Sequence, residues 1–217
     1  MLNSRGSECG ASGIAARAFD AALGCWATRV QPGEFYITVA HDGEAITTVL
    51  GSCIAACIRD PEAAIGGMNH FMLPEDAQQG RNDWRGAVGL ATRYGSYAME
   101  SLINGLMKLG ARRERLEVKL FGGGQVLDMD LPVGQRNIDF VRRWLAIEGL
   151  PVVAQDVGGK VSRRIVYFPS TGMVRVKQLR TIESREVVNN ERRYLGAVAA
   201  QPLVDDIVLF SDGGDRP

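Results

Sequence analysis

The sequence predicts an α+β fold, and three observations carry that prediction. Short runs rich in β-branched and aromatic residues recur between turn residues, only two long stretches show strong helical apolar spacing, and the strand runs come in clusters rather than alternating one for one with helices. At 217 residues the chain has the length of one compact domain with a sizeable core. Its apolar content of 46% is that of a globular protein. No stretch reaches the ~18 uninterrupted apolar residues of a membrane span.

Residues 1–30 carry Phe19, Leu23 and Trp26 at helical spacing among alanines, which predicts a docking helix or a partly ordered N-terminal arm. "FYITV" then lies between Pro32-Gly33 and Asp42-Gly43, a strand bounded by turns. A second strand over 46–50 runs into Gly51, and a third over 54–58 closes at Asp60-Pro61. In "IGGMNHFML", residues 65–73, alternation puts Met68, His70 and Met72 on one face and Asn69, Phe71 and Leu73 on the other. Residues 75–87, rich in Gln, Gly, Asn and Asp, read as a surface loop. A long helix follows, with Tyr94, Tyr97, Ala98, Leu102, Leu106 and Leu109 forming a stripe that ends at Gly110. "RLEVKLF", 115–121, alternates like a half-buried strand and breaks at Gly122, Gly123 and Gly124. A second helix over 137–148 gathers Ile138, Val141, Trp144 and Leu145, and strands follow over 152–155, 164–168 and 173–179. Beyond about residue 181, Glu, Arg and Asn dominate, predicting a polar helix or arm without a strong apolar stripe. The expected organisation is therefore an N-terminal arm over 1–30, one domain over 31–180 and a polar C-terminal extension over 181–217.

Twenty-five basic residues balance twenty-five acidic ones, so no net field attracts a nucleic acid. Arg5, Glu8, Arg17 and Asp20 interrupt the first thirty residues too often for the apolar centre of a signal peptide, which predicts a cytoplasmic protein. Its four cysteines, at 9, 25, 53 and 57, then read as free thiols; they include no Cys-x-x-Cys pair, and with only two histidines no zinc site is expected.

One thiol stands apart. Cys53 follows a Gly-Ser pair and precedes an apolar run, so Gly51 allows close approach of another group while the N–H groups around Ser52 and Cys53 can face the same space as the sulfur. Those are the donors an oxyanion needs. Pairing of the strand after Cys53 with the strand leading to His70, through the Asp60-Pro61 turn, brings an imidazole near the thiol. On spacing alone, however, Cys53 reads more readily as core filler and His70 as a hydrogen-bonded structural histidine. Cys57 belongs to the core, His41 to a solvated turn, and the glycines at 122–124 to a turn rather than a phosphate loop, since no Gly-Lys-Ser/Thr follows.

"TTVLGSCIAACIRD" and "GGMNHFMLP", followed by "RYGSYAMESLINGLMKLGA", "FGGG", "GQRNI" and "DVGGK…RRIVYFPSTGMVRVK", resemble the CheD family, the chemoreceptor glutamine deamidases, over about residues 33–180. The resemblance reverses the reading of both residues. It implies Cys53 as nucleophile, His70 as base and Thr47 as the third member of a triad, with Gly51 and Ser52 as candidate backbone donors and no metal or cofactor. It implies a three-layer α/β/β sandwich similar to the bacterial toxin deamidases. The implied substrate is a glutamine on a cytoplasmic chemoreceptor helix, with the loop containing Trp84 as a candidate rim; a CheC-type phosphatase is the implied further partner. A non-catalytic adaptor and a transglutaminating thiol enzyme are the competing readings. The segments before residue 31 and after 180 exceed the family core and have no role in this reading.

Overall fold

A computed structural model of the chain describes residues 16–39, 43–74, 90–126 and 132–200. Two five-stranded sheets and three α-helices make a mixed α/β domain among these residues. The first sheet is built from β1 (Ala16–Asp20), β2 (Cys25–Arg29), β4 (Glu44–Leu50), β9 (Arg163–Phe168) and β10 (Met173–Gln178), side by side in that order. The second orders β3 (Phe35–Val39), β6 (Ile65–Asn69), β5 (Ile54–Asp60), β7 (Glu117–Gly122) and β8 (Val152–Val157). Each sheet holds one parallel pair, β2 with β4 and β7 with β8, among antiparallel ones.

Helices α1 (Leu90–Lys108) and α2 (Val133–Ile147) meet one face of the second sheet. Met99, Leu102, Ile103 and Leu106 of α1, and Ile138, Val141 and Leu145 of α2, pack with Ile54, Ala56, Ile58, Val118 and Leu120. The other face of β5 turns Cys53, Ala55 and Cys57 toward Ile46, Leu50, Ile165 and Tyr167 of the first sheet, where Met68 and Met72 join them. The period-2 alternation expected at 65–73 is thus observed, and Cys57 lies in the interior as expected. The α1 stripe differs at one end: Tyr97 is exposed, and Met99 and Ile103 take the buried positions.

The N-terminal expectation needs correction. Residues 16–29 form a β-hairpin, not a helix, and β2 adds to the sheet beside β4 rather than standing off as an arm. Asp20 decides the turn: its carboxylate accepts the N–H groups of Ala22 and Leu23, and Gly24 takes the left-handed φ of +69° that closes it. Phe19 and Trp26 then fall directly opposite one another and pack edge to face at 6.0 Å, a cross-strand pair whose seven-residue spacing also fits a helix. The expected loop over 75–87 with Trp84, and His41, lie outside the described residues. The C-terminal polar run forms α3 (Thr181–Ala200), as one of the two forms predicted for it.

Candidate active site

Residues 51–53 carry the chain from β4 in the first sheet to β5 in the second, so Cys53 sits where the two sheets part. The antiparallel pairing of β5 with β6 continues past the strand ends: Ile54 exchanges both backbone hydrogen bonds with Phe71, at 2.9 Å each. In that register Cys53 and His70 are diagonal neighbours on the same face. Sγ of Cys53, a ring nitrogen of His70 and a carboxylate oxygen of Glu191 lie within 4.8 Å of one another.

Three structures hold the thiol loop. Gly123 N–H donates to the Cys53 carbonyl and Gly124 N–H to that of Gly51, both at 2.7 Å. Gly122 has φ of +106°, and a Cβ there would stand 2.1 Å from the Cys53 carbonyl oxygen, so only glycine permits this contact. The third support is Asn137 of α2, fully buried: its Nδ2 donates to the Ser52 carbonyl at 2.8 Å and its Oδ1 accepts from Leu73 N–H at 3.0 Å. One amide thereby ties the thiol loop to the segment carrying His70. The glycine run, read from sequence as a turn, and Asn137, read only as part of a helix, are both positioning residues.

The threonine that meets His70 is Thr48 rather than the expected Thr47. Thr48 Oγ1 stands 2.8 Å from Nδ1 of His70 and donates to the Val30 carbonyl at 2.7 Å. Alternation along β4 aims Thr48 inward with Ile46 and Leu50, and Thr47 to the opposite face with Ala45. The hydrogen-bond chain also fixes the histidine tautomer. A carbonyl only accepts, so the single Thr48 proton goes to Val30, and Thr48 must accept from an Nδ1–H. Nε2 is then the unprotonated nitrogen, and it is buried with no hydrogen-bond partner among the described residues. Burial pushes the His70 pKa down to about 4, against the opposing pull of the Glu191 charge, which keeps the ring neutral.

The backbone donors expected around Gly51 and Ser52 do converge, and on one acceptor. Glu191 Oε1 accepts from Gly51 N–H at 2.9 Å and Cys53 N–H at 3.1 Å; Oε2 accepts from Ser52 N–H at 2.8 Å and Ser52 Oγ at 2.7 Å. A Cβ on Gly51 would lie 2.7 Å from Glu191 Oε2, so this glycine serves close approach. Three N–H groups turned on one carboxylate form an anion receptor. The same geometry argues against a metal among Cys53, His70 and Glu191, because those dipoles repel a cation and both carboxylate oxygens are already engaged.

The thiol is closed off from solvent. Cys53 is 0% exposed, and Glu191 of α3 covers it; burial first, and the Glu191 charge second, push the thiol pKa well up. Beside this plug a cavity of about 290 Å³, lined by Thr48, His70, Arg164, Lys177, Asn190 and Glu191, reaches the imidazole. Glu191 had no sequence signal: it is one acid in a run of charged and amide residues, and only the fold brings it to the thiol.

A thiol beside a bare imidazole nitrogen and a ring of backbone donors is equipped for acyl transfer, the chemistry of thiol-dependent amide hydrolases. Comparison with known proteins narrows the class. A family model described as CheD chemotactic sensory transduction matches residues 72–178. A Hydrogenovibrio crunogenus protein named "Probable chemoreceptor glutamine deamidase CheD" is 45% identical over 196 residues, 89% of this chain and 99% of its own. Proteins of the same name from Saccharophagus degradans (46% over 196 residues, 89% of each chain) and, as CheD 1, from Dechloromonas aromatica (47% over 196 residues, 89% and 94%) are similar. The chain belongs to the CheD family. Spans of that share take in Cys53, His70 and Glu191, although the family model begins just after His70.

Proposed function

We propose that the chain is a protein-glutamine deamidase that converts glutamine side chains of chemoreceptors to glutamate, with Cys53 as nucleophile and His70 as general base. The observation that carries this reading is the convergence of the Gly51, Ser52 and Cys53 N–H groups on one carboxylate beside the thiol and imidazole. Nε2 of His70 takes the Cys53 proton as the sulfur attacks the carboxamide carbon. The carbonyl oxygen becomes an oxyanion in the donor ring, each donor contributing roughly 3 kcal/mol by analogy with other acyl-transfer sites. His70 returns its proton to the departing nitrogen, ammonia leaves, and a thioester remains. Water, deprotonated by the same nitrogen, cleaves the thioester to glutamate and restores the thiol. Thr48 orients the ring throughout, in the role the family resemblance gave to Thr47.

The two apolar clusters, helices on one face of the second sheet and the first sheet on its other face, support the three-layer α/β/β arrangement implied by the resemblance. Among the described residues no helix is long and apolar enough to cross a membrane. A chemoreceptor as substrate rests on the names of the similar proteins, and a CheC-type phosphatase partner on the resemblance alone. The test is mass spectrometry of a chemoreceptor cytoplasmic fragment incubated with the protein. Each converted glutamine gains about 1 Da, an added amine gives a larger mass if transfer replaces hydrolysis, and Cys53→Ala abolishes conversion. Conversion at the wild-type rate by Cys53→Ala refutes the mechanism.

A further inference from the structure

The packed stripe of α3 carries a charge at its centre. Val187 is buried, Val188, Tyr194 and Leu195 are half-buried against the interior cluster, and between them Glu191 is 2% exposed. Taking a carboxylate out of water is costly unless its oxygens are fully hydrogen-bonded. Here the Gly51, Ser52 and Cys53 N–H groups and the Ser52 hydroxyl satisfy them, and these are the donors the deamidase reading assigns to the oxyanion. A glutamate side chain is also what deamidation of a glutamine leaves in that place. Glu191 therefore stands as the reaction product stands, on a helix, as the proposed substrate glutamine does.

We propose that α3 is a built-in product analogue that occupies the substrate site, and that a receptor helix presenting a glutamine must displace it to reach Cys53. This rests on the deamidase reading. The docking is specific along the helix: the Tyr194 hydroxyl hydrogen-bonds that of Tyr94 on α1, and Gly33 makes room for it, since a Cβ there would lie 2.6 Å from the Tyr194 oxygen. The helix also gives the pattern by which a substrate is recognised. An apolar residue four before the glutamine, and an aromatic and an apolar residue three and four after it, match Val187, Tyr194 and Leu195 around Glu191.

Two variants of the full chain test this, with circular dichroism confirming that each folds. Glu191→Gln places a carboxamide in the donor ring, and the protein becomes its own substrate. The peptide containing position 191 gains about 1 Da on incubation, and does not in the Glu191→Gln, Cys53→Ala double variant. Fragmentation separates this change from spontaneous loss of ammonia at Asn189 or Asn190. Glu191→Ala empties the ring, so iodoacetamide alkylates Cys53 at least about tenfold faster than in the wild type, and turnover of a receptor fragment rises in step. Tyr194→Phe, which loosens the helix without touching the ring, raises alkylation by a smaller factor. A persistent carboxamide at 191 together with wild-type alkylation in Glu191→Ala overturns the proposal, whatever the receptor assay gives. Faster alkylation with no receptor turnover by either protein upholds occlusion by α3 and sinks the deamidase reading alone.

Discussion

The sharpest test of the site lies in two adjacent threonines. Thr48→Val keeps shape and removes one hydroxyl, which accepts from His70 at 2.8 Å and donates to the Val30 carbonyl at 2.7 Å. Both groups are buried, so the variant strands an Nδ1–H and weakens a carbonyl's satisfaction, at a cost of about 1–3 kcal/mol in stability. The ring has one escape: moving its proton to Nε2, where it ceases to be a base toward Cys53. Losing a bond of about 2 kcal/mol tips the tautomer balance by roughly thirtyfold, and the same factor is expected in kcat/KM, carried by kcat. Thr47→Val changes a side chain on the opposite face of β4, and both stability (within about 0.5 kcal/mol) and activity should stay near wild type. Urea denaturation and steady-state deamidation of a receptor fragment measure the two quantities. Loss of activity in Thr47→Val with none in Thr48→Val refutes the hydrogen-bond chain from Val30 through Thr48 to His70 and restores the residue implied by family resemblance.

Asn137→Ala removes the amide that joins the Ser52 carbonyl to the Leu73 N–H inside the core, so a loss of about 2–4 kcal/mol in urea denaturation and a falling kcat are expected. Gly122→Ala meets a left-handed φ and the Cys53 carbonyl together; about 3 kcal/mol or more of stability, and nearly all deamidation, should be lost. Asp60, at the β5–β6 turn, is pushed up by burial but held lower overall by the N–H groups of Arg112 and Ala63 and by the Arg115 guanidinium. Its folded pKa being the lower one, its contribution is complete above the unfolded value of about 3.9 and disappears as pH falls through the folded value. Asp60→Asn should therefore lower the urea midpoint at pH 7, and its difference from wild type should shrink as pH falls below about 3.9.

Local rules were enough for most of this architecture because most elements are decided locally. The strands at 35–39, 46–50 and 54–58 and the two long helices announce themselves by period and by turn residues, and the β5–β6 pairing follows from Asp60-Pro61. The N-terminal hairpin was not legible, since a spacing of seven is degenerate between a helix face and a two-stranded register, and the outcome hangs on the Asp20 turn and on β4 as a neighbour. In the site, Cys53, His70 and the Gly51-Ser52 donors come from a contiguous motif and its strand partner. Thr47 against Thr48 is a one-residue question of which face looks inward, and Asn137 and Glu191 reach the thiol from 84 and 138 residues away in sequence, a distance over which no periodicity speaks.

Burial of the thiol, taken with what buries it, bears on how the reaction is timed. With α3 in place, desolvation and a neighbouring carboxylate both hold Cys53 in its protonated, unreactive form. A glutamine arriving in the same donor ring offers a carbonyl oxygen to the same N–H groups and brings no charge. Exchanging Glu191 for substrate thus removes the like charge that opposes thiolate formation, at the moment a carboxamide carbon comes within reach of the sulfur. After hydrolysis the new glutamate stands where Glu191 stood and opposes the thiolate as Glu191 did, which disfavours a second attack and returns the site to the state in which α3 competes on equal chemical terms. The like charge that opposes thiolate formation is then absent when a neutral amide fills the ring, and a thiol covered by α3 between turnovers is also shielded from oxidation.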